Sequence, residues 1–230
     1  MRCKGKEFSR HNLVIVGKNA LYCTNKLILS NIKLVIMPLK IALFASGSGS
    51  NAENIVNFFA KSPDFEFPLI LSNKKDAFVH ERAKKLQIPS YTFSREEFLT
   101  GKEIIDLLNN HKIDCIVLAG FLLKIPEGLI EAFPNKIINI HPALLPKFGG
   151  KGMYGSRVHE AVAEAGETES GITIHYVNSN YDEGSIIFQA KCPVLPTDTP
   201  DMIAEKVHAL EYEHFPKVIR DIWGLDHKES

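Results

Sequence analysis

The sequence predicts an α/β fold: a single domain with a mostly parallel twisted sheet, helices on both faces and an antiparallel hairpin near the C-terminus. From Leu39 to about His141, short apolar runs alternate with helix-like segments, as they do in βαβ units. The run IDCIVLAG is apolar throughout, which is typical of a strand buried on both faces. After Pro146, two strands follow one another across a short turn, as antiparallel neighbours do.

The composition indicates one intracellular domain. The chain has 230 residues, of which 45% are hydrophobic, and this suffices for one sizeable α/β core. No CxxC pair and no Cys/His metal spacing occurs among the four cysteines, so we expect reduced thiols, no bound metal and a cytoplasmic location. No apolar run approaches the ~18 residues that a membrane span requires, and we expect no membrane partner.

The charge is distributed unevenly along the chain. Residues 1–36 carry seven Lys or Arg and one Glu, hence +6, and because the total is zero the rest must carry −6. An acidic body disfavours nucleic acid as a partner. Residues 1–36 also lack a sustained period, so we predict an N-terminal extension outside the fold, followed by the domain at 37–224. A misassigned start before Met37, a basic targeting peptide and an ordered extra element all remain open.

The elements up to residue 141 alternate between strand and helix. The predicted strands are LKIALFAS, FEFPLILSN, IPSYTF, IDCIVLAG and KIINIH. Helices are expected through NAENIVNFFAK and DAFVHERAKKL, from Arg95 to about His111, and briefly after Pro126. This order predicts a Rossmann-like sheet.

The last third of the chain changes character. A glycine-rich loop, KFGGKGMYG, precedes a helix through SRVHEAVAEAG. The strands SGITIHYVN and GSIIFQAKCPVL are then separated by the turn SNYDEG, and an amphipathic helix runs from about Pro200 to Ile222. No internal repeat or linker is evident, which supports a single domain.

The first strand leads into SGSGSN, Ser46 to Asn51, a candidate anion site. Gly47 and Gly49 permit a tight turn, and the following helix adds its positive N-terminal end. With Ala52 the spacing also fits G-x-G-x-x-A, a dinucleotide pattern. The second strand, however, ends in SNKKD instead of the Asp or Glu that would bind a ribose. We favour a single phosphate group over a dinucleotide, and a plain turn remains the alternative.

A second candidate site combines an amide, an imidazole and a carboxylate. Asn139 and His141 lie two residues apart at a strand end, so their side chains share one face. In isolation such a pair is most often an ordinary polar strand end, and Asp182 in the turn NYDEGSI is most often solvated turn chemistry. Ligands of open α/β sheets bind outside the carboxyl ends of the strands. If the hairpin folds back to that edge, Asp182 can reach His141.

The motifs FASGSGSN, VLAGFLLKI, NIHPALLPKF, GITIHYVN, YDEGSIIFQ and LEYEHFPKVI resemble the phosphoribosylglycinamide formyltransferases, which belong to the folate-dependent formyltransferases. The resemblance runs in order from about Met37 to Ile222. Its most specific part is Asn139-x-His141-Pro142 followed by Asp182-x-Gly184. It implies formyl transfer from 10-formyltetrahydrofolate, as cosubstrate, to the amine of N1-(5-phospho-D-ribosyl)glycinamide in purine synthesis.

The resemblance also implies residue roles. Asn139, His141 and Asp182 would be catalytic: His141 as the general acid, Asn139 as a donor to the oxyanion, and Asp182 as the carboxylate that raises the pKa of His141. The ribonucleotide would be bound by Gly49, Ser50, Asn51, His208, Ala209, Leu210 and Glu211. The folate would be bound by Arg95, Leu122, Leu123, Lys124, Ile125, Asn139, Asn178, Ser179, Asn180, Tyr181 and Asp182. The sequence departs from the common family pattern in the loop after Lys147.

The remaining candidates receive structural interpretations. We expect His175 to form structural hydrogen bonds, His159 and His214 to be packing or surface residues, and Trp223 to anchor the last helix. Two other enzyme classes use the same formyl chemistry. An enzyme that synthesises formylmethionyl-tRNA would need an RNA-binding C-terminal domain, and a 10-formyltetrahydrofolate hydrolase would need an N-terminal regulatory domain. An NADP oxidoreductase would leave Asn139, His141 and Asp182 without a role. We expect small-molecule substrates and a monomer or weak homodimer.

Overall fold

The structure is a computed structural model that describes residues 13–14 and 35–224. The chain divides into two units between Pro38 and Leu39. In the first unit, β1 (Leu13–Val14) and β2 (Val35–Ile36) form an antiparallel pair. The prediction that residues 1–36 lie outside the fold concerns mostly residues outside the described ranges, and it stays a prediction.

The second unit is built on a seven-stranded sheet. Its strand order is β5-β4-β3-β6-β7-β8-β9, with β3 to β7 parallel and with β8 and β9 each antiparallel to its preceding neighbour. The strands are β3 (Leu39–Phe44), β4 (Phe65–Ser72), β5 (Ser90–Thr92), β6 (Cys115–Leu118), β7 (Ile137–His141), β8 (Glu169–Tyr176) and β9 (Ile186–Pro193). The predicted mixed sheet with a C-terminal antiparallel hairpin is confirmed.

Seven helices are described in this unit. They are α1 (Ser50–Phe58), α2 (Val79–Lys85), α3 (Arg95–Thr100), α4 (Lys102–Asn110), α5 (Glu127–Ala132), α6 (Ser156–Glu164) and α7 (Pro200–Trp223). The prediction of one helix from Arg95 to about His111 is wrong. Gly101 adopts φ +70°, a left-handed conformation that glycine accommodates at low cost and that ends α3 before α4 begins.

Helices cover both faces of the sheet because side chains along each strand alternate between them. In β6, Cys115 and Val117 join one core with α1, α2 and α7, whereas Ile116 and Leu118 join the other with α3, α4 and α5. Trp223 packs against the first core, which confirms its expected role as an anchor of α7.

The second face becomes polar towards the carboxyl ends of the strands. Leu118 pairs with Asn139, which in turn pairs with His175, and His141 pairs with Thr173. Because paired residues point to the same face, these polar side chains continue the row that Ile116 and Leu118 begin. On this one face of the sheet, apolar side chains that pack against helices are therefore followed by polar side chains that belong to the candidate site.

Candidate active site

A cleft of about 830 Å³ opens at this end of the sheet. Its walls come from the loop after β3, the segment after β6, the end of β7, the glycine-rich loop before α6, the start of α6, the β8–β9 loop and α7. The two candidate sites of the sequence, the anion loop and the amide–imidazole–carboxylate group, thus open into one cavity.

Most of the site residues predicted from the sequence line this cleft. They are Gly49, Ser50, Asn51, Leu122, Leu123, Lys124, Ile125, Asn139, His141, Asn178, Asn180, Tyr181, Asp182, His208 and Glu211. Four predicted residues are not part of the lining, namely Arg95, Ser179, Ala209 and Leu210. Arg95 is exposed at the start of α3, and the binding roles of these four stay predictions.

The loop after β3 has the geometry of an anion cradle. Gly49 has φ +71°, and a Cβ at this position would lie 2.4 Å from Cγ2 of Val79, so only glycine fits here. Val79 also donates its backbone N–H to the Gly47 carbonyl at 3.1 Å. Gly49 is the N-cap of α1 and supplies no capping side chain. The first turn of α1 is therefore left without a side-chain cap, as an anion site requires.

Two side chains brace this loop. Ser46, which is buried, donates its hydroxyl to Oδ1 of Asn73 at 2.6 Å and accepts the backbone N–H of Leu122 at 3.0 Å. Arg82 donates through Nε to the Ser48 carbonyl at 2.9 Å and pairs with Glu53. The anion loop and the segment 122–125 are thus fixed to each other through one hydroxyl.

Asn139 is oriented by His175. Nδ1 of His175 lies 2.9 Å from the Tyr176 carbonyl, which can only accept, so Nδ1 carries the proton. The unprotonated Nε2 then accepts from Nδ2 of Asn139 at 3.1 Å. The predicted hydrogen-bonding role of His175 is confirmed, but its partner was not predicted. One N–H of the Asn139 amide remains for a ligand.

His141 and Asp182 are brought together by folding back of the β8–β9 loop. Because β8 runs antiparallel to β7, its last residue lies beside Ile138, near the start of β7. The loop returns from there and places Oδ2 of Asp182 3.6 Å from Nδ1 of His141. Oδ2 also accepts the backbone N–H of Gly150 at 2.9 Å. The predicted approach of Asp182 to His141 is confirmed.

The loop before α6 contacts the other side of the His141 ring. The Phe148 carbonyl lies 2.8 Å from Nε2 of His141 and accepts its N–H, since a carbonyl cannot donate. In a neutral ring Nδ1 is then the basic nitrogen, and it faces Asp182.

The sequence predicts that the pKa of His141 is raised, and this prediction is wrong. Burial is the largest influence and lowers the pKa below its ordinary value of 6.5, while Asp182 and the Phe148 carbonyl act in the opposite direction. The desolvation of a charged ring outweighs these two partners. His141 therefore rests as a neutral imidazole at neutral pH.

A second polar cluster lies at the α7 side of the cleft. The carboxylate of Glu211, 4% exposed, accepts from Nδ2 of Asn51 and from Nδ1 of His208, each at 2.8 Å. The hydrogen bond to Glu211 raises the pKa of His208. His159, expected to be a packing or surface residue, is buried and lines the cleft beside His208.

Among residues 35–224, no group of three or more His, Cys, Asp and Glu side chains is arranged to hold a metal ion. Within the same described part of the chain, no helix is long and apolar enough to cross a membrane.

Fold and site together define a class: an α/β protein whose cleft combines a glycine loop at a helix N-terminus with a histidine–carboxylate pair, an arrangement suited to a group-transfer enzyme. The sequence profile of the formyl transferase family matches residues 39–219. The chain belongs to this family.

Named relatives narrow the comparison. A chloroplastic phosphoribosylglycinamide formyltransferase of Arabidopsis thaliana is 41% identical over 186 residues, which cover 78% of this chain and 64% of the relative. The chain therefore spans less than two thirds of this plant protein. The phosphoribosylglycinamide formyltransferase of Bacillus subtilis (strain 168) is 37% identical over 82% of this chain and 97% of its own length.

A solved structure agrees with these relatives. The phosphoribosylglycinamide formyltransferase from Streptococcus pneumoniae TIGR4 superposes with a TM-score of 0.71 at 37% identity. The alignment covers 80% of this chain and 98% of that one.

Proposed function

We propose that this chain transfers the formyl group of 10-formyltetrahydrofolate to the amine of N1-(5-phospho-D-ribosyl)glycinamide, a step of purine synthesis. The observation that carries the proposal is the single cleft shared by the anion loop and by Asn139, His141 and Asp182. The loop at Gly49 to Asn51 would bind the 5′-phosphate, and Glu211 would accept from ribose hydroxyls. The names of the relatives support phosphoribosylglycinamide as the acceptor of the formyl group.

The folate occupies the opposite part of the cleft in this proposal. Leu122 to Ile125 and Asn178 to Asp182 supply backbone groups for its pterin ring, and Nζ of Lys124 lies 5.9 Å from the centre of the Tyr181 ring. The formyl carbon would then lie near Asn139 and His141, within reach of the ribonucleotide amine. No metal is required for this chemistry.

The amine attacks the formyl carbon and produces a tetrahedral intermediate with an oxyanion. Asn139 donates the N–H that His175 leaves free, an arrangement that needs no reorganisation as the charge develops. Neutral His141 takes the proton of the attacking nitrogen on Nδ1 and becomes an imidazolium beside Asp182. The imidazolium also stabilises the oxyanion.

The collapse of the intermediate restores His141. The proton passes from Nδ1 to the departing folate nitrogen as its bond to the formyl carbon breaks, so the proton gained from the amine leaves on the folate. Asp182 stabilises the cationic ring between these two steps. The products are formylglycinamide ribonucleotide and tetrahydrofolate, and atoms and charges balance.

Activity with the purified chain tests this function. Mixing protein, 10-formyltetrahydrofolate and the ribonucleotide should yield tetrahydrofolate only when all three are present. Formation of tetrahydrofolate without the ribonucleotide would instead indicate a hydrolase. Tight binding of NADPH, with no turnover of the folate, would contradict the proposal.

The assembly, location and domain limits belong to the same proposal. We place the enzyme in the cytoplasm as a monomer or weak homodimer with small-molecule partners only, and with its domain at residues 37–224. A chain that starts at Met37 should fold and turn over like the full chain. A large loss of stability after this truncation would show that residues 1–36 belong to the fold.

A further inference from the structure

His159 is a buried histidine with an unpaired ring nitrogen. Its exposed fraction is 3%, and Nδ1 has no partner among the described residues. A buried polar atom that stays unpaired costs stability, and native structures leave few of them without a reason. His159 also lines the cleft, where a ligand can approach the ring.

Asn51 presents a second unpaired atom in the same cluster. Nδ2 of Asn51 donates to the Glu211 carboxylate at 2.8 Å, and because a carboxylate only accepts, this contact fixes the orientation of the amide. Oδ1 is therefore an acceptor, and it is buried with no donor among the described residues. Asn51 lines the cleft as well.

The cluster is connected through α7. The ring centroids of His159 and His208 are 6.3 Å apart in an edge-to-face arrangement, and His208 donates to Glu211 at 2.8 Å. Burial and the neighbouring His208 lower the pKa of His159, against Glu211 and Glu160. The ring of His159 is therefore neutral at neutral pH, with one nitrogen that donates and one that accepts.

The chemistry of these groups selects their ligand. Oδ1 of Asn51 and the Glu211 carboxylate are acceptors, so their partner must bring hydrogens. A phosphate dianion brings none and is repelled by the carboxylate. A sugar hydroxyl donates one hydrogen and accepts another, and a neutral imidazole beside two acceptors matches this pattern.

We propose that His159 and the Asn51 side chain bind ribose hydroxyls together with Glu211, so that this cluster selects a ribonucleotide over its deoxyribonucleotide counterpart. The proposal rests on the proposed function, since it presumes the phosphoribosyl substrate. It divides the work of the loop: the backbone around Gly49 binds the phosphate, and the side chain of Asn51 binds the sugar.

A cycle of variants and ligands tests this assignment by titration calorimetry without folate. The probes are N1-(5-phospho-D-ribosyl)glycinamide and its 2′-deoxy and 3′-deoxy analogues, added to wild type and to His159→Phe. We expect His159→Phe to weaken binding of the ribonucleotide about tenfold, the size of one lost hydrogen bond. For the analogue that lacks the hydroxyl bound by His159, wild type and variant should bind within about twofold, because the partner is already gone.

His214→Phe is the matched control. His214 is a histidine of α7 that is not part of the cleft lining. The His214→Phe variant should bind all three probes like wild type. His159→Phe should unfold at the wild-type temperature or above it, because phenylalanine removes an unpaired buried nitrogen. A lower unfolding temperature with unchanged affinities would show that His159 is only structural.

Two further variants keep the test decisive if His159→Phe does not fold. His159→Asn retains a polar group near the Nδ1 position, and His159→Gln retains one near Nε2. At least one should lose affinity for the ribonucleotide and discrimination between it and one deoxy analogue. The inference is wrong if both discriminate like wild type, or if the losses from variant and analogue multiply. Failure of wild type to bind the ribonucleotide would overturn the proposed function itself.

Discussion

Asp182→Asn should reduce kcat by about 10³-fold while the protein keeps its fold. Oδ2 of Asp182 lies 3.6 Å from Nδ1 of His141, and the attraction between two unit charges at that separation is about 4.6 kcal/mol with an effective dielectric constant of about 20. Each ~1.4 kcal/mol of lost transition-state stabilisation costs a factor of ten in rate. The expected loss of kcat is therefore near the middle of the ~10²–10⁴-fold range of general acid–base catalysis.

Asparagine is the suitable replacement because Asp182 has φ +55°. Asn adopts this left-handed conformation readily, whereas most other residues are strained there. Its amide oxygen can also accept the Gly150 N–H that Oδ2 accepts at 2.9 Å. The loop is therefore kept, and only the charge beside His141 is lost.

The measurement is kcat at saturating concentrations of both substrates between pH 5.5 and 9. Asp182 raises the pKa of His141, so its removal lowers this pKa further, and the acid limb of the profile should move to lower pH. Glu183→Gln is the matched control: it removes the neighbouring charge, which contacts Asn180, and should leave kcat within about threefold. Equal losses in both variants would show a general charge effect.

A double mutant decides whether the two side chains act together. His141→Asn alone should cost about as much as Asp182→Asn, and the combination little more, because members of one catalytic unit are not additive. Multiplying losses, or a kcat of Asp182→Asn within threefold of wild type, would refute the reasoning.

Two further predictions concern the anion loop and acid stability. Gly49→Ala should lower the unfolding temperature and raise the KM for the ribonucleotide more than that for the folate, because its Cβ would meet Val79 at a positive φ. Gly47→Ala is the control, since a Cβ at Gly47 has open space. Equal increases in both KM values would show that the loop is only structural. Burial lowers the pKa of His141, His159 and His175, so the unfolded chain binds more protons than the folded chain below pH ~6.5. The free energy of unfolding should therefore decrease as the pH is lowered, by up to about 1.4 kcal/mol per pH unit for each histidine. Chemical denaturation at pH 5 to 8 measures this slope, and a flat response would contradict it.

The order of elements could be predicted from the sequence because it is a local property. Alternation of apolar runs with amphipathic segments specifies which residues a strand buries and which face a helix covers. The same locality explains the success with Asn139 and His141, since two residues on one strand share a face whatever the rest of the chain does. The break at Gly101 was missed because the apolar spacing continues across α3 and α4.

Tertiary structure alone decided what these residues meet. Asp182 reaches His141 only because the loop folds back from the base of β7, and the Phe148 carbonyl that fixes the His141 ring comes from a loop with no periodic signal. Desolvation likewise depends on everything packed around a ring, so neighbouring residues in sequence could not indicate that the pKa of His141 is lowered. His159 belongs to the cleft because α6 packs beside α7. The sequence thus determined the types of group and their strands, and long-range packing determined their partners and their protonation.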